Sequence, residues 1–291
     1  MQAFESAITF IIETINLARK SPAVIRMLVT GLLAWCAVIA ITGGSAVGLA
    51  IWLVPGGLLA QISGGILGAL MLAALFAAGR IYQPAVCRVY GALLQDQLPE
   101  QTAWRATRRQ HGVDSLLLDI SGPLISLQRR RNGHKSEQTL APEAAWMQAR
   151  YLVTPVASLE NLKLKDGVLH VSQMVNDHLP RVAPALLGVN QLTAIIAALA
   201  GLLGVLLGTS LGLGLASLGG AAWQAVGAGI GVLLAGLFTG TGIAFQMLIL
   251  AAYHTSLYIW AQRAGQARLA GSLDGVVIPP PLAAAFDHRV V

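Results

Sequence analysis

The sequence predicts an all-α, polytopic transmembrane protein with about four spans and amphipathic interfacial helices, and three observations carry that prediction. All 32 charged residues (19 Lys and Arg, 13 Asp and Glu) lie outside two blocks, Met27–Gly79 and Val182–Gln262. Runs of 53 and 81 uncharged residues would leave a soluble surface poorly solvated, whereas a bilayer selects for them because ionised groups are unfavourable in hydrocarbon. Second, 55% of the chain is hydrophobic and only 11% charged, far from the proportions of a soluble domain. Third, many of the 32 glycines fall inside the apolar blocks, where transmembrane helices use them to pack closely.

Residues 1–26 form the first element. Phe4, Ile8, Ile11, Ile12 and Ile15 recur at helical spacing, with Glu5, Thr9, Glu13 and Asn16 elsewhere. This amphipathic helix either lies at the membrane interface or packs on the cytoplasmic part of the chain. Ser21-Pro22 joins a capping residue to a proline suited to the first helical turn, so the first span begins there.

Residues 27–79 read as the first transmembrane hairpin. The turn signal Val54-Pro55-Gly56-Gly57 divides them into Met27–Leu53 and Leu58–Gly79. At 1.5 Å per residue these runs are about 40 and 33 Å long, enough to span.

Residues 80–181 read as a cytoplasmic or interfacial helical segment. The second span continues as helix through Arg80–Gln95, placing Arg80, Tyr82, Arg88 and Tyr90 at headgroup depth. Pro99-Glu100 opens a short helix that ends near Gly112, with Arg105, Arg108 and Arg109 on one face and favourably placed for the helix dipole. Arg129, Arg130 and Arg131 form a second basic cluster. Leu116–Leu127 is apolar but broken by Asp119 and Gly122-Pro123, and Asn132-Gly133 reads as a tight turn. Trp146–Leu159 is broken by Pro155 and suits an interfacial or re-entrant segment. Residues 162–171 fit either a hairpin around Asp166-Gly167 or a helix with Leu164, Val168, Val171, Val175 and Leu179 on one face. The helix is preferred because it leads toward Pro180 and the next span.

Residues 182–262 read as the second hairpin, divided near the Gly- and Ser-rich Leu213–Ala221 into Ala183–Leu211 and Ala222–Trp260. The last run exceeds what one bilayer requires, so it tilts or extends into the headgroups. A third span in this block would require very short helices. Residues 263–291 form a cytoplasmic tail.

Charge location sets the orientation. Residues 1–26 carry a net +1, residues 80–181 a net +4 and residues 263–291 a net +1, while the two opposite loops carry no charge. By the positive-inside bias the charged side and both termini are cytoplasmic. No cleavable signal peptide is expected, because Glu5 and Glu13 interrupt the N-terminal stretch and the basic residues follow it. Cys36 and Cys87 are too few for a disulfide framework and read as small apolar residues.

The order of features resembles a family of bacterial polytopic membrane proteins of unassigned function. The stretches that carry the resemblance are Ala18-Arg19-Lys20-Ser21-Pro22, Tyr90-Gly91-Ala92 with the basic helix of Arg105–Arg109, Arg150-Tyr151-Leu152-Val153-Thr154-Pro155 with Glu160, and Leu257-Tyr258 before the tail ending in Ala285-Phe286. The chain departs from that pattern where Val113–Gln148 is too polar to supply further spans. The resemblance implies a multi-pass protein of a bacterial inner membrane and transfers no functional residue.

Enzymatic constellations are hard to build from these residues. The sequence has no phosphate-binding P-loop, CxxC or HExxH, and its six histidines are scattered. No enzyme activity, metal or cofactor is therefore expected. His254 alone places a histidine inside a charge-free block, near Tyr253, Tyr258 and Trp260, which also describes an aromatic belt. Glu160 could pair with Lys163 or cap a helix, and Asn190 with Gln191 and Thr193 could form a polar helix contact. The basic clusters suit anionic lipid headgroups and not nucleic acid, since no recognition motif accompanies them.

Small-residue spacing is the clearest packing signal. Gly204, Gly208 and Gly212 recur every four residues, as do Gly227 with Gly231, Gly236 with Gly240, Gly44 with Gly48, and Gly64 with Gly68. Such spacing admits close backbone approach, within one chain or between subunits. The expected role is a non-catalytic subunit or scaffold contacting other membrane proteins. The alternative is an oligomeric channel or transporter for an apolar or lipid-like substrate, because charge-free spans argue against ion coupling.

Overall fold

Long apolar stretches with no water to bond their backbone must satisfy it internally, and the helix does so within one segment. The computed structural model describes residues 2–52, 58–97, 104–117, 150–163, 166–171, 183–269 and 276–286, and among them there is no strand. The helices are α1 (Gln2–Arg19), α2 (Pro22–Trp52), α3 (Leu58–Leu94), α4 (104–117), α5 (Val153–Glu160), α6 (166–171), α7 (Ala183–Ala216), α8 (Ala221–Leu269) and α9 (Pro280–Phe286). Four of them contain stretches long and apolar enough to cross a membrane: Pro22–Ile39, Ala69–Leu94, Val189–Leu215 and Val226–Ala267. The chain is a multi-pass membrane protein.

Helix ends follow local chemistry. Pro22 is the first residue of α2, as expected, but the buried Ser21 hydroxyl has no hydrogen-bond partner and caps nothing. The Ser21 carbonyl instead accepts the Ile25 N–H at 3.2 Å, as an N-cap carbonyl does. The end of α3 is a left-handed closure at Asp96 (φ 54°), with Gln97 N–H donating to the Ala92 carbonyl at 2.9 Å and Asp96 N–H to Leu93 at 3.2 Å. Asn161 (φ 54°) ends α5 the same way. Between α7 and α8, Gly219 and Gly220 adopt φ of 87° and 83°, a conformation that side chains with a Cβ resist. The turn signal at 54–57 lies outside the described residues.

The length of α8 settles the second charge-free block. It is one unbroken helix of 49 residues, about 74 Å at 1.5 Å per residue, against about 40–45 Å for a bilayer with its headgroups. Among the described residues the block therefore holds two long helices, and α8 outruns a bilayer.

The chain divides into two compact units. Unit 1 comprises Met1–Met27, Arg80–Leu192 and Met247–Val291, and unit 2 comprises Leu28–Gly79 and Thr193–Gln246. All 32 charged residues and all six histidines belong to unit 1, and none to unit 2.

The core of unit 1 is built on Phe10, Tyr90, Val153, Val156, Ile249, Tyr258 and Leu282, all fully buried. Here α1 packs against α9, and Pro279, Pro281 and Leu282 are buried. Arg263 holds the tail by donating from Nη1 to the Val277 carbonyl (3.1 Å) and from Nη2 to the Leu94 carbonyl (3.2 Å). The second bond places a cation on the negative end of the α3 dipole. In α5 the residues Val153–Ser158 are all buried, so this stretch is a core helix of unit 1. Pro155 falls in its first turn, where a missing N–H breaks no helical bond. Residues 166–171 are helical, with Val171 buried, which answers the helix-or-hairpin alternative for that part. Helix α4 runs through Gly112 because that glycine serves packing: a Cβ there would stand 2.9 Å from both the carbonyl oxygen and Cγ2 of Ile81 on α3. The remaining sequence features of 118–149 and 172–182 lie outside the described residues.

In unit 2, Trp35, Ile39 and Leu75 form a buried cluster with Val38, Met71, Ala78, Ile243 and Ala244 packed against it. Helices α7 and α8 run antiparallel at backbone contact. A Cβ on Gly212 would stand 2.8 Å from the Gly227 carbonyl oxygen, one on Gly231 2.8 Å from the Gly208 carbonyl oxygen, and one on Gly242 2.9 Å from the Ala197 carbonyl oxygen. A Cβ on Gly204 would stand 3.1 Å from the Ala235 carbonyl oxygen. Beside this crossing lies an apolar groove of about 420 Å³, lined by Val205, Gly208, Gly212, Gly227, Gly231 and Ala235 among others.

Candidate functional site

Among the described residues, Glu160 is held by partners on two other helices of unit 1. It ends α5, where the left-handed Asn161 turns the chain and Arg88 of α3 donates from Nη1 to the Leu159 carbonyl at 2.8 Å. That guanidinium satisfies a terminal carbonyl and complements the helix dipole. The Glu160 Oε1 accepts the hydroxyl proton of Tyr258 on α8, a side chain only 1% exposed. Its Oε2 lies 3.8 Å from Nδ1 of His170 on α6. One carboxylate thus ties three helices together. Lys163, the partner suggested by sequence proximity, is not the one found in this arrangement; Tyr258, 98 residues away, is.

Polar contacts extend this lock along α5. His111 Nε2 of α4 lies 3.4 Å from Asn161 Oδ1, and the hydroxyls of Ser115 and Thr154 share a 3.5 Å contact. Tyr90 Oη of α3 reaches Thr14 Oγ1 of α1 at 3.4 Å.

His254 sits one helical turn before Tyr258 and is 4% exposed. Its ring stacks on Tyr151 at 5.2 Å with 9° between planes, and Tyr253 meets it at 5.9 Å and 61°. Tyr253 in turn meets Phe10 edge-on at 5.1 Å. His254, Tyr253 and Tyr258 are therefore core side chains of unit 1, enclosed by protein, whereas Trp260, the remaining residue of the aromatic-belt reading, is half-buried. The Nδ1 of His254 is buried without a hydrogen-bond partner. Asn190 lies on α7 with its side chain exposed.

The basic face of α4 is divided in use. Arg108 does not project freely: its Nη1 donates to Tyr82 Oη at 2.6 Å, and its guanidinium carbon lies 5.0 Å from the Tyr82 ring centre and 5.7 Å from that of Trp104. Arg105 stacks over the buried Trp104 at 5.4 Å from its solvent-facing position, and Arg109 is exposed. Cation–π contacts of this kind hold a guanidinium in place without neutralising it. Arg129, Arg130 and Arg131 lie outside the described residues.

The predicted packing glycines fall into distinct sets. Gly204, Gly208 and Gly212 of α7 face Ala235, Gly231 and Gly227 of α8. Gly236 and Gly240 instead meet α2, where Cβ atoms would stand 2.6 Å from Ile39 Cγ2 and 3.4 Å from Ile39 Cδ1. Gly44 and Gly48 lie within α2 and Gly64 and Gly68 within α3, and their surroundings fall outside the described side chains.

Sequence reasoning singled out Glu160 and His254 but missed Tyr151, His170 and Arg88 as their supports, because no local pattern marks those partners. Comparison with family models, with curated proteins and with solved structures finds no match to this chain.

Proposed function

We propose that the chain is a non-catalytic integral membrane subunit or scaffold of a bacterial inner-membrane assembly, with both termini cytoplasmic. The observation that carries this reading is the outer face of α7, where Ile195, Leu199, Leu202, Leu206 and Leu213 are exposed along one helical stripe. Such a stripe offers a second membrane helix a continuous aliphatic contact, while the small residues of the opposite face are already used by α8. The ionisable side chains of unit 1 support the same reading. Glu160, Arg88 and Arg263 are engaged in tying helices together, which is the chemistry of a rigid support.

A second reading is favoured by one feature, the apolar groove of about 420 Å³ in unit 2. An oligomeric channel or transporter for an apolar or lipid-like substrate would use such a groove, since its lining carries no ionisable group.

The two readings are separated by the mass and composition of the complex extracted from native membranes in a mild detergent. A stoichiometric second protein is expected for the subunit. A chain recovered alone or as a homo-oligomer would overturn that reading, and flux of a labelled lipid in proteoliposomes would then test the transporter.

A further inference from the structure

Helix α1 has two apolar faces, and the described residues bury only one. Ala7, Phe10, Ile11, Thr14 and Ala18 are buried in unit 1, where Phe10 meets Tyr253 and Thr14 accepts a hydrogen bond from Tyr90. At about 100° per residue these positions cover an arc of roughly 100°. Phe4, Ile8 and Ile12 occupy the next arc, roughly 80° wide. They are 52%, 38% and 51% exposed. Only beyond them come Glu5, Thr9 and Asn16. A helix that merely rested on a water-facing surface would pass directly from its packed face to its polar face. The intervening apolar stripe calls for a neighbour that is itself apolar.

The chain itself identifies that neighbour. Arg19 and Lys20 are exposed at the end of α1, and Ser21 alone separates Lys20 from Pro22, where the first membrane-crossing stretch begins. Hydrogen bonds flank the junction: Lys20 N–H donates to Leu17 (3.2 Å), Ser21 N–H to Ala18 (3.1 Å) and Ile25 N–H to Ser21 (3.2 Å). The stripe is therefore held near the point where the chain enters the bilayer, next to cations suited to headgroup phosphates. We propose that α1 lies in the plane of the membrane surface with Phe4, Ile8 and Ile12 inserted between lipid acyl chains, and with Arg19 and Lys20 at the headgroups. Unit 1 is thereby anchored to the leaflet through a helix whose opposite face is part of its core. The inference rests on the membrane-crossing character of Pro22–Ile39 and not on the subunit role, so a chain purified without a companion leaves it standing.

The test places an environment-sensitive bimane label at Ile8→Cys, and separately at Ile12→Cys and Asn16→Cys, in the full chain. The proteins are reconstituted in vesicles of phosphatidylcholine and phosphatidylglycerol, with and without brominated acyl chains, and the unsubstituted protein supplies the background from Cys36 and Cys87. Brominated lipid is expected to quench the label at positions 8 and 12 at least about threefold more strongly than at position 16, and aqueous iodide to show the reverse order, because an interfacial helix buries its apolar face at the acyl boundary. Equal iodide quenching at all three positions would overturn the proposal by placing the stripe in water. Labels at 8 and 12 that respond to neither quencher would overturn it as well, by placing a protein, or a second copy of the chain, over the stripe.

Discussion

The crossing of α7 and α8 gives a prediction whose magnitude follows from the geometry. Replacing Gly231 by alanine places a Cβ 2.8 Å from the Gly208 carbonyl oxygen and 3.4 Å from its carbon. Carbon and oxygen settle at about 3.3–3.6 Å, so the helices must part by roughly half an ångström. Neither side can yield by rotating a side chain, because both contacting groups are backbone. Overpacking of this kind costs about 1–3 kcal/mol, and a gap of that size forfeits about a quarter or more of each dispersion contact along the seam. Alanine also raises helix propensity by about 1 kcal/mol, which would obscure a small penalty. Gly229 supplies the control: it lies on the same helix, and a Cβ there meets nothing within 4 Å. The difference between Gly231→Ala and Gly229→Ala therefore isolates the crowding. At about 2–4 °C per kcal/mol for a chain of this order of size, Gly231→Ala should melt roughly 5 °C below Gly229→Ala in the same detergent. Because the crossing lies within one chain, oligomer size should not change. Equal melting temperatures for the two variants would refute the close approach, and dissociation of an oligomer by Gly231→Ala would refute its assignment within one chain.

The Glu160 lock gives an asymmetric pair. Glu160→Ala strands the buried Tyr258 hydroxyl and should cost about 1–3 kcal/mol, whereas Tyr258→Phe leaves a carboxylate that is 27% exposed and can hydrate, at smaller cost. Thermal melts of both single variants and the double variant should show coupling, and strict additivity would count against the bond. Gly112→Ala should lower the melting temperature by the same crowding mechanism, since Ile81 backbone opposes it, and an unchanged melt would deny the contact between α3 and α4. The proposed orientation predicts that a membrane-impermeant thiol reagent added outside labels Ser217→Cys but not Arg130→Cys or Leu169→Cys; labelling of either of the latter from outside would reverse the topology.

Several features were legible in the sequence because they record each residue's preference for oil or water. The charge-free blocks mark where ionised groups would be unfavourable, so the four apolar helices follow from composition along the chain. The glycine-rich break between α7 and α8 was also visible, since only glycine adopts the positive φ found at 219 and 220 without strain. The amphipathic start of the chain was visible as a helix, but its stripe of Phe4, Ile8, Ile11, Ile12 and Ile15 did not reveal which side the protein would cover. The structure buries Ile11 and leaves Phe4, Ile8 and Ile12 exposed, because the fit of Phe10 against Tyr253 and of Thr14 beneath Tyr90 sets the rotation of the helix.

Tertiary structure alone decided the partners. A four-residue glycine spacing signals close approach but carries no address. That Gly208 meets Gly231 while Gly236 meets Ile39 depends on the register of antiparallel helices, which no local periodicity encodes. Gly112 resembles a helix terminator in sequence, yet α4 continues through it because the carbonyl of Ile81 leaves no room for a Cβ. Glu160 and Tyr258 meet across 98 residues, and His254 acquires its stack from Tyr151. Transfer between water and hydrocarbon is a property of each residue and is written along the chain, whereas pairing is a property of two surfaces and arises only when the helices are brought together.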